Sequence, residues 1–219
     1  MSFFRKLATK PWLEQDTADN PRPADIVPAE TAKVGLFVFL AVITFLFFLF
    51  FVAIHMRADY EDWVALSEPS LLWVNTLLLI LSSVAMQGAR SASRKGETNA
   101  VKVNVTVGGL LTIIFLLGQL FIWRQLVDDG HYASSNPANA AFYLLTFVHG
   151  AHMLGGLWVL GKVGFGLWVG RRVGGVALSV ELCTTYWHYL LLVWLVIFGL
   201  LLSTSVSYTH LTLPTILLV

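Results

Sequence analysis

Three histidines and one glutamate lie inside long apolar stretches of this sequence, where ionisable side chains are rare and costly. His149 and His152 are three residues apart, and Glu181 and His188 are seven apart. Each spacing places the paired side chains on one face of an α-helix. Imidazole and carboxylate groups bind transition metals, so these four residues could form a metal shell. The histidines could alternatively ligate a haem or relay protons through the membrane.

A hydrogen-bonded cluster that holds two helices together is the interpretation we favour. Helical carboxylate metal sites usually supply several glutamates, and Glu181 is the one carboxylate clearly inside an apolar stretch. Thr184 lies on the same helical face as Glu181 and His188, which makes that face polar along two turns. Small residues beside the first two histidines would let another helix approach closely; they are Gly150, Gly155 and Gly156. The residues alone therefore predict an intramembrane polar cluster and helix-packing glycines, with no catalytic residue.

The composition points to a membrane protein. Of the 219 residues, 57% are hydrophobic and 12% are charged, whereas soluble domains carry about 25% charged residues. The net charge of +1 comes with no basic stripe, which argues against nucleic-acid binding. The single cysteine, Cys183, excludes a disulfide within the chain and a zinc site built from thiolates.

Five segments are long and apolar enough to position these side chains on membrane-spanning helices. A bilayer core of about 30 Å requires roughly 20 helical residues. The segments run over about 34–54, 71–89, 103–123, 139–169 and 178–202. The fourth is the longest, and we expect it to tilt, with Lys162 reaching the membrane surface. The sequence therefore predicts an all-α integral membrane protein with five transmembrane helices.

The distribution of lysine and arginine predicts the orientation of these helices. Residues 1–33 hold five of them, residues 90–102 hold four and residues 161–177 hold three, whereas the two intervening loops hold one each. Cytoplasmic loops carry the excess of basic residues. We therefore expect the N-terminus in the cytoplasm and the C-terminus outside.

The two ends of the chain differ from its centre. Residues 1–32 are polar and rich in proline, so we expect a cytoplasmic N-terminal arm and no cleavable signal. Residues 33–203 form the transmembrane domain. Residues 204–219 contain a proline and a final apolar run too short to span, so we expect an irregular or non-native tail there.

Four stretches within the spans, read in order, resemble subunit III of cytochrome c oxidase. They are Lys33–Leu40 (KVGLFVFL), Leu72–Ser83 (LWVNTLLLILSS), Phe142–His152 (FYLLTFVHGAH) followed by Gly155-Gly156, and Glu181 followed by Tyr186–Trp194 (YWHYLLLVW). The resemblance covers about residues 33–202. It is to the short bacterial form of the family, which has five helices.

This resemblance implies an accessory subunit with no redox cofactor of its own. It implies a splayed bundle with structural phospholipids in its cleft, packed against the catalytic subunit I of a haem-copper oxidase. Subunit I would hold the haems and a copper, and subunit II would face cytochrome c. The implied role is to stabilise the catalytic subunit and to support proton uptake during aerobic respiration in a bacterial cytoplasmic membrane. His149, His152, Glu181, Thr184 and His188 would then form a polar cluster or contact lipid.

Two positions depart from the family pattern. Many members carry a buried glutamate in the first helix, where residues 40–43 read Leu-Ala-Val-Ile here, and an aspartate three residues after the closing Trp-His, where Leu191 stands here. This chain therefore lacks the two carboxylates on which a proton-collecting role would depend. A scaffold role does not depend on them. Three alternative interpretations remain. The same fold could serve a quinol oxidase or a nitric oxide reductase, or the chain could be a small proton-conducting protein or a membrane cytochrome.

Overall fold

The computed structural model describes residues 29–58, 60, 63, 70–170 and 173–206. Within these residues the chain forms five α-helices: α1 (Ala29–Ala58), α2 (Leu71–Lys95), α3 (Thr98–Asp128), α4 (Pro137–Trp168) and α5 (Val173–Val206). All five are long and apolar enough to cross a membrane, which confirms the predicted all-α membrane fold. Most of the predicted N-terminal arm and of the predicted tail lies outside the described residues.

The helices extend beyond the apolar segments from which they were predicted. α2 continues through Arg90 to Arg94 and Lys95, and the two basic residues of its last turn suit the negative end of the helix dipole. Gly96 ends the helix with a left-handed φ of 76°, a conformation that glycine adopts without steric cost. Glu97 then donates its N–H to the carbonyl of Ala92 at 3.0 Å. Only two residues therefore separate α2 from α3, and the two helices must run antiparallel.

The start of α4 follows from its first residues. The side chain of Asn136 accepts a hydrogen bond from the N–H of Ala138 at 3.0 Å, and Pro137 occupies the first helical position. Asparagine caps one of the free N–H groups, and proline there loses no hydrogen bond. α4 thus begins two residues before the predicted span.

Helices α2 to α5 pack together through a common interior. Each of α2 and α4 contacts both α3 and α5. The largest completely buried side chains are aromatic, and they come from three different helices: Phe115, Phe142, Trp187 and Trp194. Lipid tails are as apolar as leucine, so helices in a membrane associate through close packing and hydrogen bonds.

From Leu36 onward, α1 contacts α4 and α5 through a few aromatic and hydroxyl groups. The hydroxyls of Thr44 and Tyr189 are 2.9 Å apart. The ring of Phe47 lies 5.8 Å from that of His152. The outward side of α1 is apolar, with Phe37, Val42 and Phe45 all more than 60% exposed, as expected of a helix that faces lipid.

Candidate functional site: polar groups inside the membrane

The polar face of α5 meets α2. Glu181 accepts a hydrogen bond from Arg90 at 2.8 Å, in an ion pair that is about 30% exposed on both sides. Thr184 donates to the carbonyl of Met86 at 3.1 Å and to its own helix at 2.8 Å. The carboxylate of Glu181 is thus held by an arginine of the neighbouring helix. Lys162 of α4 lies elsewhere, with its Nζ 5.2 Å from the ring centre of Trp158.

His188 continues this face and also contacts α2. Its Nδ1 lies 2.5 Å from the hydroxyl of Ser83, and its Nε2 lies 3.2 Å from Oε1 of Gln87. Leu191 leaves His188 without the acidic neighbour that the family pattern supplies on the same helix. In this chain the hydroxyl of Ser83 and the amide of Gln87, both on α2, are the polar groups that contact His188.

These contacts form a continuous antiparallel seam between α2 and α5. Going from the start of α5 to its end, the partner residues run from the end of α2 to its start. This is the pattern of two antiparallel helices. In order they are Glu181 with Arg90, Thr184 with Met86, His188 with Ser83, and Trp194 with Thr76. We call this set of contacts the α2–α5 seam.

The histidines of α4 lie elsewhere. His149 is completely buried, with the ring of Phe115 from α3 at 6.1 Å and the ring of Trp194 from α5 at 5.3 Å. Neither of its ring nitrogens has a hydrogen-bond partner among the described residues. His149 therefore fills an aromatic interior site and forms no hydrogen bond with the α5 face.

His152 points away from that interior. Its Nδ1 lies 2.7 Å from the carbonyl of Val148 on the same helix, and its ring faces α1. Across the described residues, no group of three or more histidine, cysteine or acidic side chains is arranged to hold a metal ion. The structure thus separates the predicted residues into the α2–α5 seam, the enclosed His149, and His152 beside α1.

Two of the three predicted helix-packing glycines, all on α4, approach a neighbouring helix. A Cβ on Gly156 would lie 2.7 Å from Cε1 of Tyr186, closer than packing allows, and one on Gly150 would contact Leu116 at 3.6 Å. No atom lies within 4 Å of the Cβ position of Gly155. Among the described residues, Gly155 therefore packs against no neighbouring helix, and a side chain there would point into open space.

Comparison with known proteins agrees with this architecture. No protein-family model matches the chain. Cytochrome c oxidase subunit 3 of Alkalihalophilus pseudofirmus is 30% identical over 174 residues, which cover 75% of this chain and 82% of that protein. The chain belongs to the cytochrome c oxidase subunit 3 family.

Other members of the subunit 3 family are similar to different extents. The protein of Thermostichus vulcanus is 29% identical over 179 residues, covering 76% of this chain and 84% of the relative. The protein of a Synechocystis species is 32% identical over 129 residues, and the match spans only 53% of that relative. The chain thus spans about half the length of the Synechocystis protein.

Tryptophans inside this subunit 3 family member hold three helices together, which the sequence did not reveal. The indole N–H of Trp187 lies 3.0 Å from both Ser82 Oγ and Thr112 Oγ1, and these hydroxyls are 2.8 Å from each other. Trp123 of α3 donates to Thr146 of α4 at 3.0 Å. In the sequence, such bonds are indicated only by a serine or threonine within each apolar helix. That signal does not show which tryptophan will donate to the hydroxyl.

Among the described residues, two clefts lie between α1 and the other helices. The larger has a volume of about 570 Å³ and is lined by Leu36 and Phe39 of α1, by Gly155 and Gly156 of α4, and by Cys183 and Tyr186 of α5, among others. The smaller, of about 330 Å³, lies beside Phe47 and Tyr189. Both are walled almost entirely by apolar groups. Gly155 keeps the larger cleft open.

Proposed function

We propose that this chain is an accessory subunit of a haem-copper terminal oxidase. It stabilises the catalytic subunit and contributes no redox centre. Two observations support the proposal. The chain belongs to the subunit 3 family, and its polar residues within the spans form hydrogen bonds between its own helices. Glu181, Thr184, His188, Trp187 and Trp194 are all engaged in hydrogen bonds to neighbouring helices. Groups committed in this way suit a scaffold.

The test is purification of the chain from native membranes in mild detergent, with mass spectrometry of the partners and a visible spectrum. We expect subunits of the types I and II, with all haem accounted for by the catalytic subunit. Removal of the chain should shorten the lifetime of the oxidase during turnover and slow its proton uptake. Haem that stays with this chain after its partners are stripped, or a stable complex without any oxidase subunit, would contradict the proposal.

The proposal includes the membrane in which the complex lies and the orientation of the helices in that membrane. The complex lies in the bacterial cytoplasmic membrane, with the basic loop between α2 and α3 in the cytoplasm. Arg94 and Lys95 at the end of α2 support this, since basic residues accumulate on the cytoplasmic side. Cysteine substitutions at Lys95 and at His131, in the next connection, should be labelled from opposite sides by an impermeant thiol reagent. Cys183 is buried, which keeps the background labelling low.

The proposal also places a phospholipid acyl chain in the 570 Å³ cleft beside α1. Gly155→Leu would place four carbon atoms in that cleft and should lower the amount of phospholipid that purifies with the complex. Gly161→Leu is the matched control, because Gly161 has open space around it but does not line the cleft. Equal lipid content in both variants and in the unaltered protein would show that the cleft holds no retained lipid.

A further inference from the structure

The two clefts beside α1 follow one another along a single groove between this helix and the helices α4 and α5. On α5 the larger cleft is lined by side chains within residues 179–187, and the smaller by side chains within residues 189–200. On α1 the larger cleft extends to Phe39, and the smaller begins at Thr44. The clefts therefore occupy successive lengths of the groove.

A polar contact and an aromatic contact cross the groove between the clefts. Thr44 donates its hydroxyl proton to the carbonyl of Leu40 at 2.8 Å. The hydroxyl of Tyr189, 2.9 Å away, therefore donates to Thr44 Oγ1. Phe47, about one turn further along α1, places its ring 5.8 Å from that of His152 on α4. We call these two contacts the α1 bridge.

The α1 bridge lies at the centre of all three helices that form it. Thr44 is 15 residues after the start of α1 and 14 before its end, and His152 is 15 residues after the start of α4 and 16 before its end. Tyr189 is 14 and 13 residues from the two ends of the span Gly175–Leu202. The centres of three helices that cross the membrane lie near the midplane of the bilayer, so the two clefts lie in opposite leaflets.

The smaller cleft has the length and the lining of a site for one hydrocarbon chain. From Tyr189 to Leu200 the axis of α5 rises by about 16 Å, which is about half of a hydrocarbon core of about 30 Å. Its walls are apolar apart from the two hydroxyls of the α1 bridge, and these bond to each other. Phe48 and Leu192, on its two sides, are 56% and 59% exposed. The cleft therefore opens sideways to the bilayer, where lipid is the molecule present.

We propose that the smaller cleft is a second lipid site, which takes an acyl chain from the leaflet opposite to the one that supplies the larger cleft. The α1 bridge keeps the two chains apart at the midplane. This rests on the proposed function, which places an acyl chain in the larger cleft. With the orientation proposed above, the smaller cleft takes its chain from the outer leaflet. One lipid from each leaflet then packs between α1 and the other helices.

The first test counts the phospholipids that purify with the complex, by phosphorus analysis and native mass spectrometry. Val196→Phe adds an aromatic ring to the smaller cleft and should remove one phospholipid per copy of this chain. Leu195→Phe is the matched control and should remove none, because Leu195 is exposed on the same helix and does not line the cleft. Combining Val196→Phe with Gly155→Leu should remove two.

Two results of this count would overturn the proposal. One is an unchanged count in Val196→Phe, which would leave the smaller cleft without a retained lipid. The other is a combined loss no larger than that of one substitution alone, which would mean that the clefts do not hold separate lipids. In both cases co-purification with oxidase subunits would leave the accessory role standing. Absence of those subunits would remove that role, and the lipid count would still decide whether the smaller cleft is a site.

The second test asks whether the α1 bridge divides the leaflets. The complex is reconstituted in one orientation in vesicles that carry, in one leaflet only, a phospholipid with a photoreactive diazirine at the end of its acyl chain. Label placed in the outer leaflet should be found on α5 within residues 189–200, and label placed in the inner leaflet within residues 179–187. Label from one leaflet in both clefts of the unaltered protein would overturn the proposal.

The same experiment with a variant tests the hydrogen bond of the bridge. Thr44→Val keeps the shape of the side chain and removes the acceptor for Tyr189. Label in the cleft of the opposite leaflet should then rise about three- to twentyfold, the factor that corresponds to a hydrogen bond of about 0.6 to 1.7 kcal/mol. Thr106→Val is the matched control, because Thr106 is an exposed residue of α3 whose hydroxyl donates to its own helix at 2.8 Å. Label that stays confined in Thr44→Val would overturn the role of the bridge.

Discussion

Two adjacent glycines of α4 provide a sharp test of the packing described above. Gly156 touches α5, where a Cβ would lie 2.7 Å from Cε1 of Tyr186 and 3.2 Å from Cζ3 of Trp187. Gly155 has no atom within 4 Å of its Cβ position. We expect Gly156→Ala to weaken the contact between α4 and α5, and Gly155→Ala to leave it intact.

The magnitude follows from two opposing effects. Replacing glycine by alanine in a helix favours the helix by about 1 kcal/mol. Overpacking a filled interior costs about 1 to 3 kcal/mol, and Tyr186 resists displacement because its hydroxyl bonds to the carbonyl of His152 at 2.9 Å. Gly156→Ala should therefore lower the free energy of unfolding by up to about 2 kcal/mol, whereas Gly155→Ala should raise it by up to about 1 kcal/mol.

The assay is unfolding of the purified chain in mixed micelles with increasing sodium dodecyl sulfate, followed by tryptophan fluorescence. Trp187, one of the eight tryptophans that contribute to the signal, lies beside the substituted position. The Gly156→Ala variant should unfold at a lower fraction of the denaturing detergent than the Gly155→Ala variant. Equal midpoints for the two alanine variants would refute the assignment of Gly156 as the close contact, and a lower midpoint for Gly155→Ala would reverse it.

Three further predictions concern the polar groups. A double-mutant cycle with Arg90→Gln and Glu181→Gln should give a coupling energy between about 1 kcal/mol, as for exposed pairs, and about 3 kcal/mol, as for broken buried pairs; a value near zero in unfolding experiments would mean that the ion pair does not stabilise the seam. Trp187→Phe should lower the free energy of unfolding by at least about 0.6 kcal/mol, whereas Trp158→Phe, at a position 70% exposed, should not change it. His149→Leu should unfold at an equal or higher midpoint, since burying unpartnered polar groups costs about 1 to 3 kcal/mol; loss of oxidase activity from an intact complex carrying this variant would instead make His149 a proton carrier.

Much of the architecture could be predicted because membrane helices are encoded by long apolar runs. The α5 face was predictable too, since Glu181, Thr184 and His188 follow the helical repeat. Its partner helix was not, because the order in which helices neighbour one another depends on packing between distant segments. Arg90 illustrates this: it counts as a loop charge in the sequence, yet it lies within α2 and pairs across the seam.

Finer contacts escaped prediction for a geometrical reason. Gly155 and Gly156 are neighbours that differ by about 100° around the helix axis, and only the position of α5 decides which one is in contact. His149 and His152 share a helical face by spacing, but one ring lies between Phe115 and Trp194 and the other lies beside α1.

The two hydroxyls that accept the indole N–H of Trp187 already bond to each other, and this has a consequence for the order in which the helices assemble. Ser82 of α2 and Thr112 of α3 bond to each other, and both hydroxyls contact the carbonyl of Gly108. The α2–α3 hairpin is therefore satisfied at this point as soon as it leaves the ribosome and enters the membrane. Arg90 is different, because the carboxylate that it binds arrives only with α5. Before α5 is in place, the hairpin is therefore already hydrogen-bonded at the level of Ser82 and Thr112, whereas Arg90 still lacks the carboxylate of Glu181.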